Sequence, residues 1–242
     1  MAKRSESSRK SPASKGTGIT AQRIVLAAVR ICDEGGIESL TTRRLASDLG
    51  IGTMTLYGYF RSKEEILDAV ADYVLGRFEV PSIDDPTPSA VAHDVAHAFL
   101  RMMREHPSVV YLLSSRATVS RQSLKAAMED VVGILRDAGF RDETAAQAYA
   151  LLITYCLGFA TYQLPRPWGR NSADVGELRR QRVHFYSSLP LPAFTNLVEL
   201  SEAVTMMPSD EQFDFGLDCL IDGLVAKTKP RKLRSTAARS RG

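Results

Sequence analysis

Leu40-Thr-Thr-Arg-Arg-Leu-Ala-Ser-Asp-Leu-Gly50 runs directly into Ile51-Gly-Thr-Met-Thr-Leu-Tyr-Gly-Tyr-Phe60. In the first half, Leu45, Ala46 and Leu49 fall on one helical face, and Ala46 is small enough to let a second helix approach. Gly50 suits a tight turn with positive φ. In the second half, Ile51, Leu56 and Phe60 form the inward face and leave Thr53, Thr55, Tyr57 and Tyr59 on the others. The spacing predicts a helix-turn-helix whose second helix presents hydroxyls outward.

Upstream, residues 20–34 repeat apolar side chains at Ile24, Ala27, Ala28 and Ile31, with Thr20 placed as an N-cap and Gly35-Gly36 as a stop. The two short helices are expected over 42–49 and 53–59. Ser62 and Glu65 then form a capping box that opens a fourth helix through Ile66, Leu67, Val70 and Val74. Prolines at 81, 86 and 88 break the pattern, and the domain junction is expected there. Beyond it, stripes at Val91, Val95, Ala98 and Met102 and at Leu124, Met128, Val131 and Leu135 predict longer helices. They are followed by helices near 143–162, which is apolar almost all round, and near 210–226. No sustained alternation signals a strand. The fold is expected to be all-α, with a three-helix helix-turn-helix head and a larger C-terminal helical bundle, about nine to ten helices in all. The expected division is a basic disordered tail at 1–18, the head at 19–78, the body at 79–226 and a second basic tail at 227–242.

The chain has 242 residues, 44% hydrophobic and 24% charged, which excludes collagen-like, coiled-coil and wholly disordered readings. No window approaches eighteen uninterrupted apolar residues, and no apolar segment follows the basic N-terminal stretch. Neither a membrane span nor a secretory signal is expected, and the location reads as cytoplasmic. Cys32, Cys156 and Cys219 are odd in number and lack CxxC spacing, so reduced core thiols are expected. The net charge of +3 conceals a division. Residues 1–18 carry Lys3, Arg4, Arg9, Lys10 and Lys15 against Glu6, and 227–242 carry seven basic residues and no acid. The ends thus total +11 and residues 19–226 total −8, with 19–75 at six basic against eight acidic, or −2. Such ends read as solvated tails or as auxiliary phosphate contacts.

Hydroxyls and guanidinium groups suit phosphates and base edges. Over residues 20–74 the chain resembles the N-terminal DNA-binding domain of the TetR family of transcriptional regulators. The resemblance rests on the first helix with Gly35-Gly36, on Leu40-Thr41-Thr42-Arg43, on Ala46 and Gly50, on Leu56-Tyr57-x-x-Phe60 and on Lys63, all at fixed spacing. It implies DNA contacts from Thr41, Thr42 and Arg43, base-facing positions for Thr53, Met54 and Thr55, and phosphate clamps at Tyr57 and Tyr59. Lys63 would pair with a phosphate at the first turn of the fourth helix. Gly58, where relatives often carry a large side chain, and Tyr59, where many carry His, depart from the pattern. Read by chemistry alone, Thr41 is an N-cap first, Tyr57 also suits the small core, Phe60 is core and Arg44 a solvated charge.

The closing pattern Phe213-Asp-Phe-Gly-Leu-Asp-Cys-Leu-Ile-Asp-Gly-Leu224 resembles the last helix of one TetR-like subgroup. This implies a C-terminal domain that binds a small ligand and pairs its last two long helices with a second subunit. The excess apolar surface near 143–162 asks for the same cover, so a homodimer through the helices near 143–162 and 210–226 is expected. Phe99, Met102, Met103, Tyr111, Tyr149, Tyr155, Phe159, Tyr162 and Trp168 are candidates to line an apolar pocket, although each also suits plain core packing.

His93-Asp-Val-Ala-His97 places two imidazoles one helical turn apart, a spacing that can hold a divalent metal. Asp94 is one methylene short of the zincin Glu and the sequence offers no obvious third ligand, so partly exposed helix residues are expected instead. No nucleophile elbow, P-loop or dinucleotide fingerprint is present, and no cofactor is expected. The expected function is a ligand-responsive regulator, a repressor that releases a palindromic operator when a small, mostly apolar effector binds. An architectural DNA-binding protein dominated by its basic ends is the alternative; a metal-dependent enzyme using His93 and His97 is a more distant one.

Overall fold

The first helix, α1 (Ala21–Gly35), begins where Thr20 is extended and its Oγ1 accepts the Arg23 amide at 3.2 Å. That satisfies one of the amides a helix start leaves open. It ends at Gly36, φ +77°, whose amide returns to the Cys32 carbonyl at 2.8 Å. The computed structural model describes residues 18–82, 86–115, 120–164, 175–206 and 208–227, and every regular element among them is helical. The basic runs apart from Gly18 and Lys227, and the pocket candidate Trp168, lie outside the described residues.

After a 3₁₀ turn at Ile37–Ser39 come α2 (Thr42–Asp48), α3 (Thr53–Tyr57) and α4 (Lys63–Leu75). Thr41 caps α2 through the Arg44 amide at 3.1 Å, and Ser62 caps α4 through the Glu65 amide at 3.1 Å. Glu65 reaches back to the amide of Arg61 at 2.5 Å, so the expected box closes one residue earlier than its usual form. Between α2 and α3 the chain turns at Gly50, φ +65°, and the Ile51 amide seals the turn on the Ala46 carbonyl at 3.0 Å. Leu45, Leu56 and Phe60 are buried in one cluster with Ile24, Ala28 and Ile31 of α1 and Ile66 and Val70 of α4, and Ala46 is buried as well. Leu49 and Ile51, expected to face inward, are only half-buried. The recognition helix is also shorter than its pattern suggests. The amides of Tyr59 and Phe60 both return to the Leu56 carbonyl, at 3.0 and 3.1 Å, and Gly58 adds little helical stability.

The body comprises α5 (Pro88–Glu105), α6 (Pro107–Ser115), α7 (Arg121–Leu124), a π turn (Lys125–Glu129), α8 (Asp130–Asp137), α9 (Asp142–Gln163), α10 (Val175–Ser187), α11 (Leu191–Glu199), α12 (Ser201–Thr205) and α13 (Asp210–Val225). Helix α5 is central and packs against α6, α8, α9 and α13. Its buried stripe of Val91, Val95, Phe99, Met102 and Met103 is held by burial of roughly 1.5–3 kcal/mol for each large side chain. In the run from 121 to 137 the buried positions are Ser123, Ala127, Val131 and Leu135, while Leu124 and Met128, expected inward, are exposed. A strict spacing of four drifts around an α-helix by about 40° per step, and the wider π turn takes up part of that drift.

Helix α9 buries Ala145, Ala148, Leu152, Cys156 and Ala160 against its neighbours and leaves Leu151 and Tyr162 exposed. Contrary to the reading from uninterrupted apolar runs, Glu143–Gln163 is long and apolar enough, by length and composition, to cross a membrane. Here its small-residue stripe is sealed by α5 and α8. Cys32 and Cys156 are core residues, whose thiols burial pushes up to about 11 and about 12; Cys219 is exposed, not a core residue. Helices α10, α11 and α12 pack chiefly on one another and expose Phe185, Leu191, Phe194 and Leu200.

Gly50 has open space where a Cβ would stand, so a side chain there costs backbone strain and no collision. Gly50→Ala is expected to destabilise the head by about 1 kcal/mol and Gly50→Asn by less. Urea unfolding of the two variants checks the order.

Candidate nucleic-acid interface

Three helix starts and one turn shape the outer face of the head. Thr41 is exposed and its hydroxyl oxygen serves as the α2 cap; Thr42 is half-buried and Arg43 exposed beside it. On α3, Thr53, Met54 and Thr55 are exposed, Met54 at 81% of its surface. The outer face of α3 thus combines hydroxyls with one flexible apolar side chain. Tyr57 is 46% exposed, which favours an outward role over core packing, whereas Phe60 is buried as expected. Lys63 is the first residue of α4, half-buried. Arg43 and Lys63 form no ion pair among the described residues, so both cations remain available.

Tyr59 behaves differently. Lying just past α3, its hydroxyl donates to the Ile19 carbonyl at 3.0 Å. The proton expected to clamp a phosphate is committed to the backbone ahead of α1.

Within the −2 balance of residues 19–75, several carboxylates are held by local partners. Arg30 holds Asp48 at 2.5 Å, and Asp72 accepts Ser123 Oγ at 2.8 Å. Asp33, at the far end of α1, accepts His106 Nδ1 and Ser108 Oγ, one on each oxygen, both at 2.7 Å. This tie joins α1 of the head to the break between α5 and α6. Asp33 and His106 are 73 residues apart, a separation no local pattern in the sequence connects. The bond from Asp33 raises the His106 pKa above 6.5. His106 also lines a cleft of about 380 Å³ between the end of α4 and α5, with Arg77, Phe78, Arg101, Met102 and Glu105 around it.

The aromatic and methionine residues proposed for a pocket are distributed over two aromatic groups, a cleft and the surface. Phe99 and Met103 are fully buried, with Phe99 stacked on Phe78 at 4.4 Å and edge-on to Tyr149 at 6.2 Å. Tyr155 and Phe159 instead surround Phe213 of α13, at 5.2 and 4.9 Å, and Tyr155 donates to the Phe213 carbonyl at 2.8 Å. Tyr111 and Tyr162 are on the surface, and Met102 lines the cleft.

His93 and His97 face carboxylates the sequence pattern did not connect to them. Their Nε2 atoms stand 3.1 Å from Asp218 Oδ1 and Asp214 Oδ1 of α13. The Asp214 oxygen is buried and makes no hydrogen bond despite that approach. No group of three or more candidate metal ligands occurs among the described residues.

Residues 24–70 match the model for bacterial regulatory proteins of the tetR family, and residues 84–228 match the tetracyclin repressor-like C-terminal domain. The chain belongs to the TetR family of transcriptional regulators. The HTH-type transcriptional repressor DrrR1 of Streptomyces coeruleorubidus is 32% identical over 218 residues, 88% of this chain and 80% of that protein. The class A tetracycline repressor protein from transposon 1721, of Escherichia coli, is 26% identical over 87% of this chain and 93% of its own. Among solved structures, the TetR-family protein ActR of Streptomyces coelicolor, in complex with actinorhodin, superposes with a TM-score of 0.76 at 32% identity, covering 89% of this chain and 99% of that one. As a TetR-family member the chain is a regulator and not an enzyme.

In this TetR-family chain the tie at His106 makes stability depend on pH. Its folded pKa is raised above the unfolded value near 6.5, so the tie contributes fully below that value and is lost as pH climbs through the folded one. His106→Gln is expected to cost about 1–2 kcal/mol at about pH 6 and much less at about pH 9. Thermal or urea unfolding across that range is the check; an equal cost at both ends would remove the electrostatic account.

Proposed function

We propose that this TetR-family chain is a homodimeric, ligand-responsive repressor acting in the bacterial cytoplasm, with a DNA-binding head at 19–78 and an effector and dimerisation body at 79–226. The observation that carries the reading is the bare outer face of α3 beside the free cations Arg43 and Lys63, on a head whose acidic groups are largely occupied. Thr53, Met54 and Thr55 reach base edges, Thr42, Arg43, Tyr57 and Lys63 hold phosphates, and Thr41 sets the start of α2. Two heads related by a two-fold axis enter successive major grooves of a palindromic operator, with half-sites about one turn, ~34 Å, apart.

The dimer is supported by surface that one protomer leaves uncovered. Helix α9 exposes Leu151 and Tyr162, and α13 exposes Phe215 at 66%. Side chains of that kind on two long neighbouring helices suit an isologous four-helix contact. The effector is a small, mostly apolar molecule that favours a body conformer with the wrong spacing between heads, and DNA affinity falls by its differential affinity for the two states. ActR, solved with actinorhodin, supports a body of this kind that accepts a ligand.

Selection from random duplexes is expected to return a palindrome. Thr55→Ala and Tyr57→Ala should each weaken binding to it about tenfold or more. No selected palindrome, or two unaffected variants, overturns the proposal. Phe215→Glu is expected to shift the protein toward monomer in analytical ultracentrifugation; an unchanged dimer would place the interface elsewhere.

A further inference from the structure

Helix α3 is a turn and a half, and its side chains have fixed places around its axis. Gly58, its C-cap, keeps the right-handed helical conformation at φ −70° and ψ −21°. Leu56 is the inward pole, fully buried. Successive residues advance by about 100°, so Thr55 and Tyr57 lie about 100° to either side of Leu56. Met54 and Gly58 lie about 160° round in opposite senses, only about 40° apart. The crest of α3, the line pointing straight away from the core of the head, is therefore made by Met54 and Gly58.

That crest carries no strong hydrogen-bonding side chain. Gly58 has none, and the atoms nearest a Cβ built there are the backbone oxygens of Thr55 and Met54, at 3.1 and 4.0 Å. The Met54 side chain is 81% exposed and stays clear of this open notch; its thioether is at most a weak acceptor. The hydroxyls stand on the flanks, Thr55 on one and Tyr57 on the other, both exposed. Hydrogen bonds from α3 thus come from its sides, and contact at its crest is apolar. Along the major groove the base edges present nitrogen and oxygen acceptors and amino donors, and the one alkyl group among them is the C5 methyl of thymine. An unbranched, polarizable side chain adapts to such a methyl, and the notch at Gly58 leaves room for it.

Resting on the operator-binding reading above, we infer that Met54 is the specificity-determining residue for a thymine in each half-site, closing on its C5 methyl over the notch left by Gly58. A purine or cytosine at that place would set its polar edge against a thioether and a bare backbone, and its hydrogen bonds to water would be lost without replacement. The competing arrangement has Met54 Sδ accepting weakly from the amino group of adenine or cytosine, and it makes no use of a thymine methyl.

The test uses the full chain and its selected operator. Each thymine is replaced in turn, in both half-sites, by deoxyuridine, which removes the methyl and keeps the base pairing. At one position the replacement should weaken binding about fourfold per half-site, the worth of one buried methyl, and about 15-fold for the two together. In Met54→Ala, which should itself bind the thymine operator more weakly, the same replacement should have no effect. Each comparison is a ratio within one variant, so any change in that variant's stability cancels. Thr55→Ala should leave the deoxyuridine effect intact. Met54→Gln, whose amide suits adenine, should select adenine in place of thymine there. A selected operator with no thymine whose methyl matters overturns the inference, as does a deoxyuridine effect that persists in Met54→Ala, or thymine still selected by Met54→Gln. A wild-type protein that selects no palindrome fails at the underlying reading instead, so the two failures are distinguishable.

Discussion

One route that couples the two ends of this molecule passes along α1. At one end, the Ile19 carbonyl just ahead of that helix accepts the hydroxyl of Tyr59, two residues past α3. The other end meets the body, through Asp33 with His106 and Ser108. A helix of fifteen residues with seven of them buried bends little, so a displacement imposed at Asp33 is delivered to the DNA side largely intact. Placing the body contact on a carboxylate at a helix terminus also makes it directional. Both oxygens are used, and a small rotation of the α5–α6 break spoils both hydrogen bonds together.

The charge distribution follows from the same geometry. A polyanion is bound by a head whose own balance is −2, which a reading of net charge alone would count against it. The acids are placed so that they do not oppose the partner: Asp33 is turned to the body, Asp48 is held by Arg30, Glu65 closes the α4 cap and Asp72 receives Ser123 of α7. Arg43 and Lys63, two cations with no carboxylate partner among the described residues, sit at the starts of α2 and α4, where helix amides favour anions as well. Selectivity then comes from the position of groups, while non-specific attraction, which depends on total charge, is kept low in the folded head.

The local pattern in the sequence was enough for the head. Caps at Thr20, Thr41 and Ser62, the positive φ of Gly50 and the inward set Leu45, Ala46, Leu56 and Phe60 are consequences of residues within four or five positions of one another. What was hidden lies at long range. Asp33 carries no mark that it will meet His106, nor His97 that Asp214 awaits it, because each partner is fixed only when separate helices dock. The same limit applies to the pocket candidates: the sequence offers Phe99, Tyr149, Tyr155 and Phe159 as pocket or core residues, but not which of them pack with Phe78 and which with Phe213. Tyr59 is exposed as its place in the pattern indicates, but the acceptor of its hydroxyl stands forty residues upstream, where no local signal marks it.

Two different physical links now join head to body, and they respond to different conditions. The Asp33 tie is electrostatic and weakens as His106 loses its proton. The second is apolar: Phe78, just beyond α4, stacks on Phe99 of α5 at 4.4 Å with the rings only 19° apart, and Phe99 meets Tyr149 of α9 edge-on. Burial of that stack is indifferent to pH and salt. Helix α4 is fastened again from α7, where Ser123 holds Asp72 and Gln122 reaches the Gly76 carbonyl at 3.3 Å. Movement of α5 therefore cannot leave the head where it was. It must carry α4 with it through the aromatic stack and α1 through the carboxylate, and because the two attachments lie on different helices of the head, any shift of α5 that is unequal at the two points rotates the recognition helix as well as translating it.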